Sequence, residues 1–219
     1  MGKLFFYVLL SLSIVGNSAL SEYWLIQEDF IKLGKRDLYQ QQKSKDLAQQ
    51  KKSGEVLCFE DLENPQYVFL FPFKEIASLA NYQPIAPKIE KDVLLETSMN
   101  FQIFSLHRFL QKCSLKEDSV FAEKKSYFLY ALYEIALDNQ EVFEGALADA
   151  VNKFSKDSVS SWCVFKSLLG GSYPKYLVCL SFATKDELKE WSMDKIIPEI
   201  ALRDIFRDKK SGWMKKTSF

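Results

Sequence analysis

The sequence contains a single histidine, His107, and this scarcity narrows the catalytic chemistry open to the chain. Any Ser-His-Asp or Cys-His mechanism has to use that one residue. The sequence also lacks a nucleophile elbow and a glycine-rich phosphate loop, and the pair Gly170-Gly171 is better explained as a turn. No motif of a hydrolase or of a phosphate-binding enzyme is therefore present.

An excess of charge of one sign is also absent. The chain has 29 Lys and Arg residues against 29 Asp and Glu residues, for a formal net charge of zero. Such a balance gives no broad field to attract nucleic acid or an anionic membrane, and neither is expected as a partner. Cations do gather between Arg203 and Lys216, where Asp204 and Asp208 interrupt them. We interpret residues 211–219 as a solvated basic tail.

The four cysteines form no CxxC pair, so we expect no zinc or other metal site. Cys163 and Cys179 lie at equal distances from Gly171, the centre of a predicted β-hairpin. Opposed residues of an antiparallel pair have Cα atoms about 4.5–5.5 Å apart, which is within disulfide range. Two interpretations stay open: a disulfide formed in an oxidising compartment, or two reduced and buried thiols.

Aromatic residues are abundant, with 18 Phe, 10 Tyr and 4 Trp. Each ring buries roughly 150–250 Å² when it packs in a core, so the chain can bury a large apolar interior. Packing alone explains most of these rings. The remainder are candidates for lining a binding pocket.

The first 21 residues have the pattern of a secretory signal peptide. Lys3 precedes an apolar run that is short for a membrane span, and Ala19 and Ser21 supply the small residues of a cleavage site before Glu22. A second possible site follows Gly16-Asn17-Ser18, and an uncleaved anchor is the alternative. We predict an exported, periplasmic or secreted protein that has no membrane contact after cleavage.

An internal repeat organises the rest of the chain. Residues 23–39 and 127–143 align without a gap, so that Tyr23 matches Tyr127 and Ile31 matches Ile135. Strands are predicted at 23–27, 55–60, 66–73 and 100–110, and again at 127–135, 160–166, 175–182 and 199–206. Helices are predicted at 35–52, 74–81 and 88–97 in the first half, and at 138–154 and from 184 in the second.

This order predicts an α+β fold built from two tandem ferredoxin-like units of βαββαβ order, over residues 22–115 and 124–210. Each unit would cover one sheet face with helices and leave the other face apolar and bare. Two such units can pack their bare faces together, as an intramolecular dimeric α/β barrel.

In this element order, and in the extended run that leads through Ile31-Lys32-Leu33-Gly34-Lys35 into a helix, the chain resembles the dimeric α/β-barrel superfamily. Its members include antibiotic-biosynthesis-monooxygenase-like, EthD-like and NIPSNAP-like proteins, and fused tandem forms occur. The resemblance implies a pocket between sheet and helices, and it implies no particular catalytic residue. Haem-binding members use a histidine ligand, a role open to His107, but a structural histidine is the preferred interpretation and no cofactor is expected.

Candidate ligand-binding residues are polar or aromatic side chains on otherwise apolar strands. A buried polar group needs a partner, which a ligand or an internal hydrogen bond can supply. The candidates are His107, Tyr23, Trp24, Tyr127, Tyr130 and Trp162, with Gln27, Ser105, Tyr133 and Ser181 as further possibilities.

Three functions are compatible with these features. The first is an exported protein that binds a small apolar or aromatic ligand inside the barrel. The second is a cofactor-independent monooxygenase or isomerase, which the resemblance implies and which needs only one or two polar residues in an apolar pocket. The third is a non-enzymatic interaction module whose pocket has filled with side chains. The sequence leaves the oligomeric state open, and a monomer with internal twofold symmetry is compatible with it.

Overall fold

Eight β-strands make up most of the computed structural model, which describes residues 22–41, 43, 56–77, 99–115, 121, 125–154, 161–169, 173–189 and 205–217. The strands of the first half are β1 (Tyr23–Ile31), β2 (Leu57–Asp61), β3 (Gln66–Phe73) and β4 (Met99–Phe109). Those of the second half are β5 (Tyr127–Ile135), β6 (Trp162–Leu169), β7 (Lys175–Phe182) and β8 (Phe206–Lys216). Among the described residues, helix α1 spans Gln140–Phe154 and helix α2 spans Lys185–Lys189, and residues 36–41 and 43 are also helical.

The strands form one closed antiparallel barrel in the order β1-β3-β2-β8-β5-β7-β6-β4. The halves join at two seams, where β2 pairs with β8 and β4 pairs with β6. The strand order repeats after four strands around the barrel, so each half supplies four neighbouring strands in the same sequence. Every strand therefore has a partner on both sides, which leaves no open edge.

Side chains alternate between the inner and outer faces of each strand, and both faces are buried along much of the barrel. The inner face carries a cluster that includes Trp24, Ile26, Val68, Phe165 and Met214. On the outer face of the second half, Phe143 and Leu147 of α1 pack among Leu129, Tyr133 and Val178. Their spacing of four residues puts both α1 side chains on one side of that helix.

The outer face of the first half is covered by helical residues 36–41 and 43, and its core contains a polar cluster. Asp29 is fully buried, and the Lys43 ammonium lies 3.2 Å from its carboxylate. The Tyr39 hydroxyl and the Gln27 amide also donate hydrogen bonds to Asp29. At the same offset of 104 residues that relates Tyr23 to Tyr127, the counterparts of Gln27, Asp29, Tyr39 and Lys43 are Ala131, Tyr133, Phe143 and Leu147. The two halves thus bury different chemistry at equivalent places.

The expected pair of ferredoxin-like (βαββαβ) units, packed as a duplicated α/β barrel, is wrong. The structure has a single closed eight-stranded antiparallel barrel, and its described residues contain few helices. The physical reason lies at the edges of the sheets. The backbone groups of β2 and β4 pair with β8 and β6 of the other half, because unpaired edge groups are costly to bury. The halves consequently share one sheet and do not face each other as two sheets.

Most of the predicted strands are confirmed, and three of them, residues 66–73, 127–135 and 175–182, match β3, β5 and β7 in full. The last strand differs. It runs over Phe206–Lys216 and so includes residues 211–216, where the sequence predicts a tail. The helices predicted at 88–97 and from 44 to 52 lie outside the described residues, as does the predicted signal peptide at 1–21. Among the described residues, no helix has the length and apolar character needed to cross a membrane.

Candidate functional site

A cavity of about 390 Å³ opens inside the barrel, at the end where β1 and β5 finish and β3, β4, β7 and β8 begin. The apolar part of its lining is supplied by Ile26, Val68, Ile103, Leu132, Leu177 and Met214. Ile103 is 43% exposed whereas Ile26 is 3% exposed, so the cavity runs from a solvent-accessible mouth to a buried floor. The volume lies within the range of small-molecule sites.

One wall of the cavity is polar and lies at the seam between β4 and β6. His107 of β4 stands opposite Ser167 of β6 in the strand register, and Ser105 lies two residues before His107 on the same face. The Ser105 hydroxyl oxygen and His107 Nε2 are 2.8 Å apart. The Ser167 hydroxyl oxygen accepts a hydrogen bond from the backbone N–H of Lys175. These three residues therefore form a continuous polar patch, which we call the β4–β6 patch.

His107 is 4% exposed, and its Nδ1 atom has no hydrogen-bond partner among the described residues. Burial lowers the pKa of His107 to about 4, and the positive charge of Lys175 contributes to the same shift. The imidazole is consequently neutral at neutral pH, with one nitrogen bonded to Ser105 and the other unpaired.

A second cluster of polar side chains lies at the mouth of the cavity, with one residue each from β1, β3 and β8. The Gln66 amide donates to Glu28 at 2.6 Å, and the Lys210 ammonium donates to Gln66 at 3.3 Å. Burial raises the pKa of Glu28, while Lys210 and Gln66 oppose that shift. Glu28 is the one acidic residue among the described residues that line the cavity, and its raised pKa lets it accept a proton more readily than an exposed carboxylate.

The opposite seam, between β2 and β8, is closed by Tyr130. Its hydroxyl donates a 2.9 Å hydrogen bond to the buried carboxylate of Asp61. A Cβ atom on Gly212 would lie 2.9 Å from the Tyr130 oxygen, so the ring occupies the space above a residue that has no side chain. Burial and the neighbouring Asp61 raise the pKa of Tyr130, which keeps the phenol protonated as a donor.

The floor of the cavity is sealed toward the other end of the barrel by packed aromatic rings. Phe121 lies within 5.7 Å of Trp24, 6.1 Å of Phe59 and 6.4 Å of Phe165, measured between ring centroids. Rings at such distances and tilts pack favourably and exclude water. These rings therefore close the floor of the cavity.

The structure brings only two of the six predicted ligand-binding residues, His107 and Tyr130, into the cavity lining. Trp24 faces inward but belongs to the aromatic floor. Trp162 is buried in the outer cluster, where its indole donates to the Cys113 carbonyl, and Tyr127 packs against the same cluster. Tyr23 alternates with Trp24 along β1 and so faces outward. Whether any of them touches a ligand stays a prediction.

Other residues of the site were missed by the sequence prediction: Glu28, Gln66, Ser167, Lys175 and Lys210. Charged side chains at the ends of strands look like solvated termini in a sequence. The available signal was the two-residue spacing that Glu28 shares with Trp24 and Ile26 on β1, since residues at this spacing share a face.

Cys163 and Cys179 are opposed in the β6–β7 register, as the hairpin predicts. Both are buried, and both are free thiols in the structure. A bridge between them in an oxidising compartment stays a prediction. Among the described residues, no group of three or more His, Cys, Asp and Glu side chains is placed to hold a metal ion.

Three solved structures share this fold over nearly their whole length. An anthrone oxidase-like protein matches with a TM-score of 0.67 and 10% identity, over 90% of this chain and 92% of that one. A candidate monooxygenase from Fusobacterium nucleatum matches at 0.63 and 11%, over 90% and 94%. A monooxygenase-like protein from Listeria innocua matches at 0.55 and 12%, over 91% and 96%.

No known family model and no curated protein sequence matches the chain. The structural likeness therefore shows a common fold with monooxygenase-like proteins, which confirms the coarser part of the predicted resemblance. Identities of 10–12% show the fold alone.

Proposed function

We propose that the protein binds a small, mainly apolar or aromatic ligand inside the barrel. The observation that carries this proposal is the cavity of about 390 Å³, which combines an apolar floor with a few polar groups on its wall. An interaction module with a filled interior fits this cavity less well.

Binding can be tested with N-phenyl-1-naphthylamine, a neutral dye whose fluorescence rises in apolar surroundings. We expect saturable binding to the purified chain and at least a tenfold weaker affinity in Leu177→Phe, because Leu177 lines the cavity and a larger ring there fills it. Leu25→Phe is the matched control, since it adds the same ring on the outer face of β1. Equal dye affinity in the two variants would place binding elsewhere and end the proposal.

A cofactor-independent oxygenase is the second candidate, and Glu28 is the observation that favours it. This carboxylate lines the cavity and has a raised pKa, which are the properties of a general base. One solved structure with this fold is described as anthrone oxidase-like, so anthrone is a rational test substrate. Glu28 would remove a methylene proton from it. The carbanion would then transfer electrons to O₂, so that the CH₂ group becomes a carbonyl and one water is released.

Oxygen uptake with anthrone measures this activity directly. We expect uptake above the buffer rate with the purified chain and a loss of at least a hundredfold in Glu28→Leu, which installs the residue found at the counterpart position, Leu132. Uptake that stays at the buffer rate, or that is unchanged in Glu28→Leu, would leave ligand binding as the only supported function.

A further inference from the structure

We propose that the barrel has one ligand site rather than two, at the β4–β6 patch, and that this site holds a hydrogen-bond-accepting oxygen of the ligand. This inference rests on the proposed binding function and adds the position, the number and the chemical class of the ligand. It follows from comparing the two seams of the barrel residue by residue.

The strand registers identify which residues are equivalent at the two seams. Ser105 pairs with Ile26 of β1, and Gly212 pairs with Tyr130 of β5, the counterpart of Ile26. Gly212 is therefore the counterpart of Ser105. By the same registers Met214 is the counterpart of His107. A barrel whose strand order repeats after four strands offers two potential sites, so any difference between these positions decides where a ligand can bind.

Among the described residues, Tyr130 occupies the position at the β2–β8 seam that corresponds to the β4–β6 patch. Tyr130 lies over Gly212 and donates to Asp61, so the ring fills the space that an open site would need. The β1 counterpart of Tyr130 is Ile26, which has no hydroxyl and a shorter side chain, and the β4–β6 seam is therefore left open. Only one of the two potential sites remains.

The hydroxyl hydrogens of the β4–β6 patch are available to a ligand. Ser167 uses its oxygen to accept from the Lys175 amide, so its own hydrogen is left to donate. The neutral ring of His107 carries one proton, on Nε2 or on Nδ1. A proton on Nδ1 would leave a buried N–H without a partner, which is rare in protein interiors. We therefore place the proton on Nε2, which leaves Nδ1 as an unpaired acceptor. Nε2 then donates to Ser105, whose hydroxyl hydrogen is also left to donate.

The patch thus presents two O–H donors to the cavity, which Lys175 also lines while its ammonium pairs with Glu134 at 3.5 Å. A ligand that meets them with a carbonyl, enolate or phenolate oxygen forms hydrogen bonds, whereas a hydrocarbon of the same shape leaves the donors buried and unpaired. The apolar body of the ligand would extend toward Leu177 and Met214 on the other side of the cavity.

The test uses two molecules of similar shape, 2-acetylnaphthalene and 2-ethylnaphthalene, with the whole chain. We expect one ketone per chain by native mass spectrometry and a ketone affinity about tenfold above that of the hydrocarbon. Ser105→Ala and Ser167→Ala should each reduce this preference about fivefold by weakening ketone binding alone. Ser181→Ala is the matched control, because Ser181 is a buried serine that bonds to Ser161 at the sealed end of the barrel.

Two results would overturn the inference while leaving the binding function intact: equal affinities for ketone and hydrocarbon, or two ketones per chain. A loss of preference in Ser181→Ala as large as in Ser105→Ala would also overturn it, because the effect would then be global. Failure of both molecules to bind would instead refute the proposed function itself.

Discussion

At the scale of single residues, the site depends on which face of a strand a side chain occupies. Tyr127 and Tyr130 are three residues apart on one strand, yet Tyr130 lines the cavity and Tyr127 packs outside. Strand alternation puts them on opposite faces, but the sequence could not show which face points into the barrel, because both faces of β5 are buried and its apolar run shows no alternation. His107 was identified because it is the only histidine, while Glu28 was missed because a charge near a strand end is usually exposed.

The buried imidazole of His107 predicts a specific pH dependence of stability. Its pKa is lowered from 6.5 to about 4 in the folded chain, so the unfolded state binds the extra proton between these values. The contribution of His107 to the free energy of unfolding is fully present above about pH 6.5. It is lost as the pH falls through about 4, and the loss amounts to about 3 kcal/mol. His107→Met, which installs the counterpart residue, should remove this contribution.

Urea unfolding of the two proteins at pH 7 and pH 4 measures the effect. Carboxylates contribute to acid unfolding in both proteins, so the difference between their pH dependences isolates the histidine. Parallel pH dependences would show that His107 is not buried as a neutral ring.

At the scale of secondary structure, the strands could be predicted and the closure of the barrel could not. Strands β3, β5 and β7 are rich in aromatic and β-branched residues, which marks them in the sequence. Strand β8 was missed because five of its eleven residues are Lys or Arg, and only Gly212 and Met214 are buried. The pairing of β8 with β2 joins residues far apart in the chain, which no local pattern encodes.

The polar cluster beneath the first helical residues predicts a strong dependence of stability on Lys43. Lys43→Met would leave the Asp29 carboxylate buried without its cation, at a cost of about 3–5 kcal/mol. Asp29→Asn in the same chain should recover much of this loss, since a neutral amide is cheaper to bury. A double-mutant cycle from urea unfolding measures the coupling, and additive effects would mean that the two groups do not interact.

The packing of Tyr130 against Gly212 at the β2–β8 seam predicts that substitutions of these two residues have coupled effects on stability. Gly212→Ala forces the Tyr130 oxygen away from Asp61 and should lower the free energy of unfolding by about 1–3 kcal/mol. In a Tyr130→Ile background the added methyl group meets no ring, so its cost should fall below about 1 kcal/mol. An undiminished cost in the double variant would show that strand geometry, and not the ring, opposes the methyl group.

At the scale of the whole molecule, the repeat explains the shared strand order but not the difference between the halves. Residues 23–39 and 127–143 align without a gap, yet the first half buries Asp29 and Lys43 where the second buries Tyr133 and Leu147. Similarity between halves could be seen in the sequence. The asymmetry that leaves one seam open follows from side chains in contact, which only the three-dimensional structure shows.

The proposed export of the chain predicts where the mature protein begins. Expression of the full sequence in a cell with a secretory pathway should yield a protein that starts at Glu22, because the cleavage pattern ends at Ser21. N-terminal sequencing and intact mass give this result directly. A secreted or periplasmic product that retains Met1 would indicate an anchor, and retention in the cytoplasm would refute export.

The position of β8 in the chain has a consequence for how the protein is made. Lys216 pairs with Phe59 and Lys215 pairs with Tyr127, so one late segment bonds to both halves. Strand β8 has to leave the ribosome before the barrel can close. Until then β2 and β5 each lack one neighbouring strand. The nascent chain should thus acquire resistance to proteases only after β8 has left the ribosome and paired with β2 and β5.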